Sequence, residues 1–209
     1  MKKILIASTN PGKIAEIKIG LQKLEKQGIQ ILTLNDVIVG ENKPEETGKT
    51  FQENALIKAK FYGDLTQMPV ISDDGGLVIP FLNNEPGVKS RRWLGYDATD
   101  GELIQFALSN LRGCTGSKRT AYLETCLAFF LPMPGHPKGG KIFTEQEKIK
   151  GRIAEKASGR PTNGYPFRAL FIVDKFNKYY DELTEEEHMK VNHRLKALKR
   201  LVKRITKIQ

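Results

Sequence analysis

Two hydrophobic periods alternate along this chain, and their alternation predicts an α/β fold. Residues 4–7, Ile-Leu-Ile-Ala, are a short apolar run of strand character. Asn10 then supplies a helix N-cap, and Pro11 suits the first helical turn, where its missing N–H would have no partner anyway. Beyond it Ile14, Ile17, Leu21 and Leu24 recur at helical spacing and form one buried stripe. The pattern repeats downstream. Residues 29–34 read as a strand, and Thr50 with Glu53 caps a helix carrying Phe51, Ala55, Ala59 and Tyr62. Residues 70–72 read as a short strand that Asp73-Asp74-Gly75-Gly76 breaks before 77–79, because those four residues are favourable turn chemistry. Thr99 with Glu102 starts a third helix bearing Leu103, Phe106, Ala107 and Leu111. Residues 120–131 alternate as one long strand; a Pro/Gly-rich turn over 132–140 and a return strand to 153 follow. Residues 169–173 are the last buried strand, and Thr184 with Glu187 marks the start of a terminal helix.

At 209 residues the chain is long enough to bury a core without disulfide or metal staples. Its two cysteines, Cys114 and Cys126, have no metal-ligand spacing and suit a reducing, cytoplasmic compartment. Met1-Lys2-Lys3 imitates the start of a signal peptide, but the apolar run that follows is too short, and no segment has the length of a membrane span. The net charge of +10 suggests a nucleic-acid partner until it is located. Eight Lys or Arg and no acid lie within 188–209, so the excess belongs to the terminal helix. Val191, Leu195, Leu198, Val202 and Ile205 give that helix an apolar stripe that must dock. Its basic face is read as mainly solvated, which makes nucleic acid an unfavoured partner.

Candidate chemistry gathers at four places. The strand–loop–helix at residues 4–13 leaves amides at a helix start, and Lys13 adds positive charge, so the element suits a phosphate. The adjacent carboxylates of Asp73 and Asp74 at a strand end point in different directions; one can hold a hard divalent cation while the other positions water. Asn54 and Lys58 share a helix face behind the acidic loop Pro44-Glu45-Glu46-Thr47. Arg194, beside His193, offers donors only and so can read a keto oxygen or a phosphate but not an amino group.

Taken in order, these fragments resemble a known family. Thr-Asn-x-x-Lys, Glu-Glu-Thr-x-x-Thr-Phe-x-Glu-Asn-Ala-x-x-Lys-Ala, Asp-Asp-x-Gly-Leu, Pro-Gly-Val-x-Ser-x-Arg-Trp and a C-terminal His-Arg are similar to the motifs of the inosine triphosphate pyrophosphatase family. The resemblance spans roughly residues 4–201. It implies one domain over 1–209: a long mixed β-sheet with flanking helices, forming two lobes around a nucleotide-binding cleft, commonly as a homodimer. It implies Mg²⁺-dependent hydrolysis of non-canonical purine nucleoside triphosphates (ITP, dITP or XTP) to the monophosphate and pyrophosphate. Carried over by position, Thr9, Asn10 and Lys13 would line the triphosphate. Lys58 would neutralise charge on the leaving pyrophosphate, and Glu45 and Asp74 would bind Mg²⁺. Asp74 would orient the attacking water with support from Asp73, and His193 and Arg194 would read the 6-keto edge.

The departures cluster. Gly75 stands where the family has a phosphate-contacting serine. The family's Gly-Phe-Gly-Tyr-Asp-Pro becomes Thr162-Asn163-Gly164-Tyr165-Pro166-Phe167-Arg168: Asn163 replaces the phenylalanine, the aspartate is missing, and Tyr165 or Phe167 is left to stack on the base. His188 and Asn192 replace a lysine and a serine, and Arg91 stands where a small residue is usual. The phosphate and metal end is largely kept and the base end rebuilt. The alternatives are the same chemistry on a different base, or a relative that binds nucleotide or nucleic acid without turnover.

Overall fold

The computed structural model describes residues 1–208 apart from 41, 42, 134 and 163, together with the backbone but not the side chains of 136–138. Asn163 therefore lies outside the described residues. The strands are β1 (Lys3–Ala7), β2 (Gln30–Thr33), β3 (Val70–Ile79), β4 (Glu85–Pro86), β5 (Thr120–Met133), β6 (His136–Ile153), β7 (Phe171–Val173) and β8 (Lys178–Tyr179). The helices are α1 (Pro11–Glu25), α2 (Phe51–Thr66), α3 (Asp100–Asn110), α4 (Glu185–Val191) and α5 (His193–Thr206). The eight strands form one mixed sheet in the order β2-β1-β3-β5-β6-β7-β8, with β4 on β3. β1 is parallel to both β2 and β3, whereas β3–β4, β6–β7 and β7–β8 are antiparallel. Among the described residues no helix is long and apolar enough to cross a membrane.

The chain divides into two compact units, and it passes from one to the other four times: within β3, β5 and β6, and at the start of α5. The first unit comprises Met1–Asp74, Thr125–Glu147 and Arg194–Gln209. β1 and the first residues of β3 are apolar on both faces, as parallel strands covered by helices must be. Ile4, Ile6, Ile71, Leu127 and Phe129 cluster with Ile17, Leu21 and Leu24 of α1 and Leu198, Leu201 and Ile205 of α5. The alternate residues Leu5, Ala7, Val70, Cys126, Ala128 and Phe130 cluster with Ala55, Ala59 and Tyr62 of α2. Close approach needs glycine at Gly63, where a Cβ would fall 2.2 Å from the Phe130 ring. The second unit, Gly75–Glu124 and Lys148–His193, is built on Leu77, Ile79, Leu103, Ala107, Leu123, Ile153, Phe171 and Tyr180. Buried Arg119 ties its pieces together by donating to the carbonyls of Leu111, Cys114, Ile153 and Ala154.

The three Thr–Glu capping boxes form as predicted, at Thr50, Thr99 and Thr184. Three expectations are corrected. Asp-Asp-Gly-Gly is no turn: β3 runs through it as one ten-residue strand. Neither Gly75 nor Gly76 has a positive φ, and Gly76 is there to admit a neighbour, since a Cβ would lie 2.0 Å from Ser90 Oγ. The turn predicted over 132–140 is much shorter, because β5 extends to Met133 and β6 begins at His136. The C-terminal helix is two helices, parted at Asn192, whose ψ of 107° leaves the helical region. Val191 therefore buries with the second unit and Leu198 with the first. On α5, Arg200 pairs with Glu145 and Glu147 of β6, and Arg204 with Glu145, so part of the basic face is neutralised internally.

Candidate active site

Strand periodicity organises the site. Successive side chains of a strand point to opposite faces. Ser72 and Asp74 accordingly face α2: the Ser72 hydroxyl donates to Ala55 O at 2.5 Å, and Lys58 Nζ lies 3.2 Å from Asp74 Oδ1. Asp73 faces α1 and α5. Lys13 Nζ is 2.7 Å from its Oδ2, Arg194 Nε is 3.2 Å from its Oδ1, and the Thr125 hydroxyl of β5 donates to Oδ1 as well. Arg194 also bonds Glu16 of α1. The result is a buried network of two carboxylates, one guanidinium and one ammonium.

Electrostatics separates the two aspartates. Burial disfavours the ionised form of both. At Asp73 the Arg194 guanidinium and the Lys13 ammonium outweigh burial and hold the carboxyl well below the usual range. At Asp74 burial prevails over the attraction of Lys58 and Lys13, with Glu46 and Asp73 adding repulsion, so its pKa is raised. Burial would also discharge Lys58, but Asp74, Glu46 and Asp73 outweigh it and raise its pKa, keeping the ammonium charged. Nearby Cys126 is inert: burial, then Asp73 and Asp74, push its thiol up to about 12.

At the start of α1, Asn10 Oδ1 accepts from Lys13 N at 3.1 Å. The protein's own cap thus takes one of the amides expected to meet an anion. Thr9 is exposed, Lys13 is half-buried with its ammonium on Asp73, and Gly75 is half-buried on β3. Of the acidic pair before α2, Glu46 is the one that reaches Lys58, its Oε2 3.4 Å from Nζ, while Glu45 is exposed. Asn54, buried beneath that loop, accepts from Gly48 N at 2.8 Å and so shapes it.

The residues present fit a hard divalent cation. Asp74 Oδ2 is buried and has no hydrogen-bond partner, although its sister oxygen holds Lys58. A carboxylate oxygen left bare in this way suits a cation, since leaving it unpaired is costly. Among the described residues no three His, Cys, Asp or Glu side chains converge into a cage. A site of one or two carboxylates leaves the rest of a hard cation's shell to water and phosphate oxygens.

The second unit carries the rebuilt segment. Phe167 is buried and meets Trp93 edge-on at 6.1 Å, so it belongs to the core. Tyr165 is half-buried, with the Arg168 guanidinium 3.7 Å from its ring centroid; the same guanidinium lies 4.7 Å from the Tyr180 ring. His188 meets the Tyr180 ring edge-on, and its Nε2 lies 3.0 Å from the Tyr180 hydroxyl. His193, the first residue of α5, is buried. Arg194, expected to read the base beside it, directs its guanidinium to Asp73 and Glu16.

Glu16 and Thr125 join the site without having been singled out in the sequence. Glu16 carried a signal: an acid directly beside Ile17 of the buried stripe and three residues beyond Lys13 shares that side of the helix.

Relatives with the same plan are known. The chain is 37% identical over 203 residues to the dITP/XTP pyrophosphatase of Bacillus subtilis, covering 97% of this chain and 96% of that protein. It is equally 37% identical to the dITP/XTP pyrophosphatase of Thermoanaerobacter pseudethanolicus, covering 98% and 97%. A solved HAM1 protein from Coxiella burnetii superposes with a TM-score of 0.82 at 34% identity, covering 99% of this chain and all of that one. With residues 4–204 matching the model of the Ham1 family as well, this chain belongs to the Ham1 family.

Proposed function

We propose that the protein, an enzyme of the nucleoside triphosphate pyrophosphatase type, hydrolyses non-canonical purine nucleoside triphosphates such as dITP, ITP and XTP to the monophosphate and pyrophosphate. Support comes from the relatives named dITP/XTP pyrophosphatase and from the phosphate-end residues. The observation that carries the reading is Asp74: a buried carboxylate with a raised pKa, one oxygen on Lys58 and the other bare.

In this reading Asp74 orients a water and accepts its proton as the water oxygen bonds to the α-phosphorus. The α–β phosphoanhydride bond breaks, and its electron pair leaves on pyrophosphate. Lys58, held protonated, neutralises that developing charge. Lys13 and the start of α1 bind phosphate oxygens. Asp73 keeps Lys13 and Arg194 in place, and its low pKa leaves it unsuited to take a proton. Asp74 Oδ2 and an acid of the 45–46 pair would hold Mg²⁺, which when bound supplies charge neutralisation and polarises the phosphate. Tyr165 stacks on the base, and His193 adds a polar contact to it. A single functional domain over 1–209, acting as a cytosolic homodimer, completes the reading.

The test is separate incubation of the protein and Mg²⁺ with ITP, dITP, XTP, ATP and GTP, measuring pyrophosphate and orthophosphate. The reading requires pyrophosphate from the 6-keto non-canonical purines well above ATP and GTP. Pyrophosphate mainly from another nucleotide would keep the mechanism and overturn the substrate. Orthophosphate, or no turnover, would overturn the reaction.

A further inference from the structure

The rebuilt segment is anchored from the start of α3. Asp100 is the first residue of α3, fixed there by the reciprocal Thr99–Glu102 capping box. Its Oδ2 accepts from the Thr162 hydroxyl and from Gly164 N at 3.2 Å, and its Oδ1 accepts from Arg91 Nη1 at 2.5 Å. A carboxylate at a helix N-terminus is favoured there by the dipole. The Thr162 hydroxyl and Arg91 together outweigh burial and lower its pKa, so it is ionised throughout the neutral range. Beyond the clamp, Tyr165 N donates to Thr162 O at 2.9 Å, and Arg168 N to Tyr165 O at 3.0 Å. Tyr165 is therefore fixed from two directions: its backbone follows a loop pinned by Asp100, and its ring carries the guanidinium of Arg168. Holding Thr162 and Gly164 in advance avoids an ordering cost on substrate binding.

We propose that Asp100 is a positioning residue for substrate recognition, holding Thr162 and Gly164 so that the Tyr165 ring is already placed for the base. Arg91 belongs to the same device as the cation that keeps the Asp100 carboxylate turned toward the loop. The inference rests on the proposed role of Tyr165. It predicts that Asp100 acts on affinity for the base-bearing substrate and not on the chemical step at Asp74.

The experiment measures KM and kcat with ITP and Mg²⁺ for the wild type, Asp100→Ala, Asp100→Asn, Tyr165→Ala and the Asp100→Ala/Tyr165→Ala double variant, each with a thermal melt. Asp100→Ala should raise KM about tenfold, the scale of one lost charge-assisted contact, with kcat within about twofold of wild type. Asp100→Asn keeps an acceptor for the loop and should fall between them. In the Tyr165→Ala background, removing Asp100 should change KM no further, because the group it positions is gone. An unchanged KM in Asp100→Ala overturns the proposal, as does an equal KM increase in both backgrounds. If Asp100→Ala does not fold, a wild-type KM in Asp100→Asn with an unchanged melt overturns it as well. A wild type that releases no pyrophosphate would overturn the functional reading, and this inference with it; an active wild type with an indifferent Asp100 overturns the inference alone.

Discussion

Asp73 and Asp74 are consecutive residues of one strand, yet among the described residues they share no hydrogen-bond partner. Asp73 meets Lys13, Arg194 and Thr125 on one face of the sheet, and Asp74 meets Lys58 on the other. The same burial that penalises both is overcome at the first and not at the second. In the proposed reading the pair is thereby divided between holding the structure and doing the chemistry.

Asp74→Asn should lower kcat by at least about 100-fold, the contribution of a positioned general base. It should not lower the melting temperature at pH 7, because a group whose folded pKa is raised is destabilising when ionised. In the wild type, kcat/KM should fall with decreasing pH through an apparent pKa above the ordinary aspartate value of about 4. Lys58, whose pKa is raised, should add no basic limb below about pH 10. Pyrophosphate release across pH, with thermal melts of both proteins, checks all three.

Asp73→Asn should do the opposite and act first on stability. It leaves half-buried Lys13 without its carboxylate and takes one from buried Arg194, which keeps Glu16, at a cost of about 3–5 kcal/mol. The sign with pH follows from the depressed pKa. The contribution is complete above the unfolded-state value of about 4 and is lost as pH falls below it toward the folded pKa. Urea titrations at pH 7 and pH 3 should show the gap between wild type and variant narrowing at the lower pH.

Chelation should abolish turnover and Mg²⁺ restore it. Apart from activity, Mg²⁺ at about 100 times its Kd should stabilise the wild type by about 2.7 kcal/mol. Asp74→Asn, which removes the charge behind the bare Oδ2, should lose most of that thermal shift.

Gly76→Ala should cost about 1–3 kcal/mol through crowding, because its Cβ would meet Ser90 Oγ at 2.0 Å and Gly87 O at 3.0 Å. Its backbone is not in the left-handed region, so the penalty is one of space. Ser90→Gly in the same chain should recover part of it, and denaturant midpoints of the two variants against wild type measure how much.

Most of the framework was legible because it is local. Caps such as Thr50–Glu53, the stripe Ile17–Leu21–Leu24 and the apolar strands each announce themselves within a few residues. Asp-Asp-Gly-Gly misled because its local turn preference is overridden by two neighbouring strands and by Ser90 beside Gly76. The helix break at Asn192 was invisible for a similar reason, since the residues on its two sides pack into different units. Within the site, the residue types could be named but not their pairings. Arg194 and Glu16 meet across 178 positions, and no spacing rule spans such a separation.

Arg194 also lies 121 positions after Asp73 in the chain. At about 5–20 residues per second of vectorial synthesis, Asp73 is made on the order of ten seconds before the guanidinium that neutralises it. Until then Lys13 and Thr125 are the partners already made on that face, and they leave the buried carboxylate without its guanidinium. The charge network on that face is therefore complete only once α5 has been made.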